Sequence, residues 1–436
     1  MSKPVQKPPF WYQLLLAIIV PLYRLRVWQR ARMQADYQAE VIERFQIAKT
    51  AKNTQVIWIH AVSVGETNAA QPIIEYFLKH GQAVLVTNTT RTGQARAKTL
   101  FDHHYPKFFE AVFLPVDSVG LMQKFLQRYQ PRLFILIETE LWPNALAQTY
   151  QANIPSILLN ARLSERSARG YGKFSRLTLA MLQQLSCIAA QDQATAQRFI
   201  ALGADKNKVI VSGSVKFDIQ PPQHLLQQAQ QLKQDWQLMH SSGNRPVLIA
   251  ASTHEPEEAQ ILGQFSKILA QYSDAVLIVV PRHPERFENV AQLIKQHGFG
   301  LFQRSQQQII EPQTQVYLAD SMGELWLWYA LADMAFVGGS FSSNGGHNPL
   351  EPVALGIPVV MGEHTFNFQV IVEQLVQADA LTQVNDAEQL MQVWLQWLQQ
   401  PEQAEQAGKA GLQVMQANQG ALERQIGLVK QFLNKA

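Results

Sequence analysis

A single cysteine, Cys187, occurs among 436 residues. This excludes internal disulfides and any site built from several cysteine ligands, and it fits a reducing compartment such as the cytoplasm. Charge is scarce as well: 16% of the residues are charged and the formal net charge is +3. No face-sized run of Lys and Arg interleaves with aromatics, which argues against a nucleic-acid partner. Several catalytic signatures are missing. There is no Gly-x-Ser-x-Gly elbow for a serine hydrolase. Neither a P-loop nor a Gly-x-Gly-x-x-Gly turn after the first strand candidate occurs, so no bound dinucleotide cofactor is indicated. His-Glu-x-x-His and Asp-x-Asp are absent too, and no catalytic metal is expected.

What is present is apolar and well ordered in its spacing. The chain is long enough for two or three domains, and 47% hydrophobic residues suit large buried cores. Residues 10–23, Phe-Trp-Tyr-Gln-Leu-Leu-Leu-Ala-Ile-Ile-Val-Pro-Leu-Tyr, form one apolar run shorter than the ~20 residues that cross a bilayer upright. Arg24, Arg26, Arg30 and Arg32 follow it, with Trp28 among them. That order predicts an uncleaved anchor or an interfacial helix, with the body of the protein on the cytoplasmic side.

From residue 56 onward short β-branched runs alternate with helix-like stretches. Strands are predicted at 56–60, 83–88, 111–114, 133–138, 156–160 and 187–190, then at 247–252, 275–281, 316–319, 334–337 and 357–361. Most are continuously apolar, as in parallel sheets covered on both faces. The alternation predicts α/β architecture: two doubly wound domains, binding ligands in a cleft at the carboxyl ends of their strands. The Gln-rich stretch 219–244, with Pro221 and Pro222, reads as the linker between them. The expected organisation is an anchor at 1–32, an amino-terminal domain at 33–218, a carboxyl-terminal domain at 245–401, and a helical tail at 402–436.

Four loops after strands share a Ser/Asn-x-x-Glu pattern: Ser63 to Glu66, Ser252 to Glu255, Ser321 to Glu324 and Asn348 to Glu351. Each reads as a capping box opening a helix, and Pro349 occupies the favoured first helical position. A capping box needs no ligand. Several helix amino termini aimed at one cleft would nevertheless suit an anion such as a nucleotide-sugar phosphate. Glu138 and Glu140 close another strand, and Lys216, Arg282 and His283 also lie at strand ends. Each has an ordinary structural explanation, yet carboxylates and bases gathered at strand ends suggest a site. Trp326, Trp328 and Tyr329 read as core.

Six segments, in this order, resemble the Kdo (3-deoxy-D-manno-oct-2-ulosonic acid) transferases of lipopolysaccharide synthesis. They are His60-Ala-Val-Ser-Val-Gly-Glu66, Glu138-Thr-Glu-Leu-Trp-Pro-Asn144, Asn160-Ala-Arg-Leu-Ser164, Gly213-Ser-Val-Lys-Phe-Asp218, Pro281-Arg-His-Pro-Glu-Arg-Phe287 and Gly345-Gly-His-Asn-Pro-Leu-Glu351. The resemblance implies a GT-B fold and inverting, metal-independent transfer of Kdo from CMP-Kdo to lipid IVA at the inner membrane. It also implies Glu66 as general base, with Glu138 and Lys216 stabilising the transition state. Pro281 and Arg282, Met322, Gly323 and Glu324, and Asn348, Pro349, Leu350 and Glu351 would hold CMP. Arg91 and Gln94 depart from the family pattern, which bears on the acceptor side.

Overall fold

The computed structural model describes residues 7–33, 36–47, 50–238 and 245–434. The chain divides into two compact units, Met1–Lys216 together with Gln419–Ala436, and Phe217–Asn418.

The first unit is built on seven parallel strands: β1 (Ile57–His60), β2 (Val84–Asn88), β3 (Phe109–Phe113), β4 (Leu133–Ile137), β5 (Ser156–Ala161), β6 (Cys187–Ala190) and β7 (Val209–Val211). Their order across the sheet is β3-β2-β1-β4-β5-β6-β7, so the strand order reverses between β1 and β4. The four central strands β1, β2, β4 and β5 are buried throughout. Helices cover both faces, and Trp58 of β1 stacks on Phe134 of β4 with ring centroids 3.7 Å apart. Burying each such side chain stabilises the fold by about 1.5–3 kcal/mol.

The second unit repeats the plan with β8 (Val247–Thr253), β9 (Val276–Pro281), β10 (Leu301–Gln303), β11 (Val316–Leu318), β12 (Met334–Val337), β13 (Val359–Met361) and β14 (Leu381–Gln383). The order β10-β11-β9-β8-β12-β13-β14 reverses between β8 and β12. Trp328 and Tyr329 are fully buried in this unit's core, as their sequence context predicts.

Three strands escaped the sequence reading: β7, β10 and β14. All three are sheet edges only three residues long, and each is partly exposed, so none carries a continuous apolar run. The segment expected as a linker is instead structured. Helix Gln223–Asp235 and the turn after it bury Leu225, Ala229, Trp236 and Leu238 against β8 and β9, while residues 239–244 lie outside the described set. The tail also splits. Helix Pro401–Asn418 stays with the second unit, whereas helix Ala421–Leu433 packs Ala421, Ile426 and Val429 into the first unit's core. Arg424 Nε and Gln425 Nε2 fasten that last helix to Ser212 through its carbonyl (2.9 Å) and hydroxyl (3.1 Å).

At the amino terminus one helix, Phe10–Met33, continues well beyond the apolar run. Its stretch Phe10–Gln29 is long and apolar enough to cross a membrane. The helix touches the first unit at two places. Tyr12 and Gln13 bond Asp117 and Asn144, and farther along Val27 is buried while Tyr23 meets Phe45 at 5.7 Å. The side chains of Arg30 and Arg32 lie outside the described set.

Candidate active site

In open parallel sheets the loops that follow the strands on either side of the reversal frame the ligand crevice. In the first unit these are the loops after β1 and β4, which carry Glu66 and Glu138. Glu66 stands in the first turn of helix Val64–Lys79. Its carboxylate reaches back to accept from the backbone N–H of Val62 and of Ser63, the latter at 3.3 Å. This is the returning half of the expected capping box. Gly93 makes room for the loop: a Cβ there would lie 3.1 Å from the Ser63 carbonyl carbon and 2.8 Å from the Thr90 hydroxyl.

Burial pushes the Glu66 carboxyl up to about 7, with the Glu138 and Glu140 carboxylates adding to the shift and the two backbone donors opposing it. Burial raises Glu140 as well. Glu138 adopts a left-handed backbone (φ 63), a conformation that costs a glutamate of order 1 kcal/mol or more. It is held there by its N–H to the Leu159 carbonyl (3.0 Å) and by the Arg162 N–H to its own carbonyl (3.3 Å). Strained backbone of this kind persists where the surrounding structure over-determines it. Asn160, also left-handed (φ 50), accepts from the Val215 N–H and so fixes the start of the turn Val215–Asp218 that carries Lys216. Burial lowers the Lys216 ammonium, Glu138 works to raise it, and Arg162 lowers it further. Glu66, Glu138 and Lys216 are thus coupled into one cluster; Glu140, which the strand-end reading had placed beside Glu138, joins it, and Arg162 is a member that sequence reasoning did not single out.

The departures from the family pattern have a structural explanation. Gln94 Nε2 donates to Glu43 at 3.0 Å, and Arg91 lies 3.9 Å from Glu40. Both residues tie helix Arg91–Phe101 to helix Asp36–Phe45.

In the second unit the reversal lies between β8 and β12, and the loops there differ from the sequence reading. Ser252 and Glu255 form no capping box, because Ser252 still belongs to β8 and Glu255 is exposed and pairs with Arg286 at 2.9 Å. The neighbouring Glu257 takes over. Its fully buried carboxylate accepts from the N–H groups of His254 (2.9 Å), Gly339 (2.8 Å), Ser340 (2.9 Å) and Phe341 (3.0 Å). Gly338 permits that approach, since a Cβ there would sit 2.7 Å from the Ser252 carbonyl and 2.8 Å from Glu257. Periodicity could not reveal this residue, because three of its four partners lie more than eighty positions away.

Pro281 ends β9 against Thr253, and the Arg282 N–H donates to the Thr253 carbonyl at 3.0 Å. Met322 is exposed and Gly323 is left-handed (φ +84). Glu324 sits at the N-cap position of its helix rather than at the third helical position, its side chain makes no cap bond, and Arg304 grips it at 2.7 Å. Burial opposes charge on Glu324, but the Arg304 and Ser321 bonds and the Arg304 charge together outweigh it and hold the carboxyl below its ordinary range. The helix after Asn348 runs only from Leu350 to Val353. Pro349 is its N-cap rather than its first helical residue, and so short a helix has little dipole. The Asn348 carboxamide accepts from the Leu350 N–H (3.2 Å) and donates to Glu351 (3.3 Å). Leu350 is fully buried among Val337, Val359 and Met361, so its side chain belongs to the core. Burial raises the Glu351 carboxyl, against the Asn348 bond and the nearby Arg282 charge. Among the described residues no group of three or more His, Cys, Asp or Glu side chains is arranged to hold a metal ion.

Residues 39–219 match the family described as 3-deoxy-D-manno-octulosonic-acid transferase (kdotransferase), and residues 259–414 match the glycosyl transferases group 1. The 3-deoxy-D-manno-octulosonic acid transferase of Haemophilus influenzae is 39% identical over 98% of this chain and 99% of its own. The chain belongs to the Kdo transferase family. The Bordetella pertussis member is 34% identical over 88% of this chain and 90% of its own. Among solved structures, Anabaena Alr3699/HepE in complex with UDP is 14% identical, with a TM-score of 0.51, covering 86% of this chain and 99% of that one. That likeness concerns the fold, and the two parallel-sheet units are those of GT-B glycosyltransferases. The family match places the Glu66, Glu138 and Lys216 cluster in the Kdo transferase half of the chain.

Proposed function

We propose that this chain transfers Kdo from CMP-Kdo to lipid IVA with inversion, without a metal, at the cytoplasmic face of the inner membrane. The observation that carries the reading is Glu66: a carboxylate at the sheet reversal, fixed by two backbone donors and pushed up to about 7. A base poised near the working pH is what proton removal from an acceptor hydroxyl requires. In the reaction the acceptor oxygen bonds to the anomeric carbon as its proton passes to Glu66. The bond from that carbon to the phosphate oxygen breaks, and its electron pair leaves with CMP. Lys216 offsets charge on the Kdo carboxylate, and Glu138 holds Lys216 and sets the Glu66 pKa. Arg282, Glu324, Asn348 and Glu351, with the backbone of Pro281, Met322, Gly323, Pro349 and Leu350, form the CMP-binding set. Support comes from the family membership and from the six motifs, which fall at strand ends in both units.

Incubation of the purified protein with CMP-Kdo and lipid IVA in the presence of a chelator, followed by mass spectrometry of the lipid, tests the reading. A mass gain of one or more Kdo units, competed by CMP and not by UDP, is expected. An unchanged lipid alongside an active control enzyme would overturn it.

A further inference from the structure

Three histidines meet at the sheet reversal of the second unit. His254 follows β8, His283 follows β9 and His347 lies in the loop beyond β12. The Nε2 atoms of His254 and His347 are 2.8 Å apart. Their ring planes differ by only 4° and their centroids are 5.0 Å apart. Nitrogens this close cannot belong to face-to-face stacked rings, so the two imidazoles meet edge to edge, nearly coplanar. The separation is also shorter than the roughly 3.3 Å between two tetrahedral ligands at zinc distances. It is a hydrogen bond. Gly339 makes the space, since a Cβ there would lie 3.0 Å from His347 Cδ2 and 3.2 Å from its Nε2.

Such a bond fixes the protons. One Nε2 carries hydrogen and the other offers a lone pair, so in the neutral pair only one of the two outer Nδ1 atoms is a donor. One added proton leaves the central bond intact and makes both outer Nδ1 atoms donors, with a full positive charge between them. The surroundings decide which form prevails. Arg282 and His283 bear on both rings, and Arg286 and Glu258 bear on His254. His283 lies edge-on to His254 at 5.1 Å, and Glu257 receives the His254 backbone N–H. Glu351 is coupled to Arg282. Burial and the neighbouring cations keep His254 below its ordinary value and His347 at about 4, which favours the neutral pair near pH 7.

We propose that the His254–His347 pair is a proton-coupled anion clamp, in which a phosphate binding beside Arg282 draws one proton onto the pair and is held by it. The inference rests on the reading of this unit as the CMP-binding half. An arriving phosphate cancels the Arg282 field that disfavours the imidazolium and adds an attraction for it, so binding and protonation reinforce each other. Neither histidine acts on the reacting carbon. Both are positioning residues for the donor phosphate.

Calorimetric titration of CMP into the full-length protein, in two buffers of different ionisation enthalpy at pH 7.5–8.5, reads the proton directly. In that range the CMP monoester, with a pKa of about 6, is already dianionic. The expected result is uptake approaching one proton per CMP, no uptake with cytidine, and affinity falling up to ~10-fold per pH unit. His254→Gln and His347→Gln should each abolish the uptake and flatten the pH dependence. CMP binding by the wild type with no proton uptake and pH-independent affinity would overturn the clamp and leave the donor-site reading standing. Uptake that persists in both variants would overturn it equally. Failure of CMP to bind at any pH would overturn both.

Discussion

The Tyr12 hydroxyl donates to Asp117 Oδ2 at 2.8 Å, and so joins the first turn of the amino-terminal apolar helix to a buried carboxylate that caps helix Pro143–Gln151. Asp117 also accepts from the N–H groups of Asn144 (2.9 Å) and Ala145 (2.8 Å). Val27, buried on the same unit, lies roughly 22 Å farther along the helix at 1.5 Å per residue. A helix held at both points runs along the protein body. We predict that it lies in the headgroup plane, with exposed Phe10, Ile18 and Leu22 in the acyl boundary, rather than crossing upright. Nitroxide labels at positions 18 and 22 in vesicles should both report shallow, similar depths of about 5–10 Å. Cys187 will not compete for the label, since it is buried and burial pushes its thiol up to about 11. A mid-bilayer depth at either position would contradict the arrangement.

Glu66 should also trade stability for function. Its folded pKa, about 7, exceeds the ordinary 4.5, so its contribution to stability is fully present below about pH 4.5 and is lost as pH rises through 7. Glu66→Gln removes the cost of burying the charge. The variant is expected to be more stable than wild type at pH 8 by about 1–3 kcal/mol, a gap that closes near pH 5. Thermal unfolding across that range checks it, and a variant destabilised at pH 8 would speak against a buried, charge-strained base.

Glu138 raises the Glu66 pKa through its charge. Glu138→Gln should therefore lower it, and the acidic limb of the kcat/KM profile should move to lower pH whatever happens to the maximum. An acidic limb that stays in place would uncouple the two carboxylates.

Glu257 offers a test confined to the second unit. Alanine there strands four backbone N–H groups and is expected to cost at least ~3 kcal/mol, with CMP binding lost as the 338–341 turn loses its fixed partner. Gln, which keeps one acceptor oxygen, should recover part of both. Unfolding monitored alongside CMP titration separates the two variants, and unchanged stability in Glu257→Ala would contradict this role.

Much of this was legible in the sequence, and the rest was hidden for identifiable reasons. Central strands such as β1 and β8 announce themselves because burial on both faces demands continuous apolar runs, whereas the three-residue edges β7, β10 and β14 carry no such demand. Glu66 was legible because a capping box is local. The Glu257 network and the His254–His347 bond were not, because they join residues brought together by a sheet reversal between strands far apart in the chain. The pattern around Ser252 and Glu255 misled for a related reason: Ser252 lies inside β8, which runs one residue past its predicted end to Thr253, and the capping role passes to Glu257. Asn348 behaved as a local turn former, while Leu350 beside it was claimed by the core.

Kdo transfer by Glu66→Gln, measured as kcat with CMP-Kdo and lipid IVA alongside CMP affinity in the same folded preparation, tests the central claim most directly. General-base removal predicts a loss of about 10²–10⁴-fold in kcat with CMP affinity unchanged. A variant that keeps near wild-type kcat would show that the proton leaves the acceptor by another route, and the assignment of Glu66 would fall.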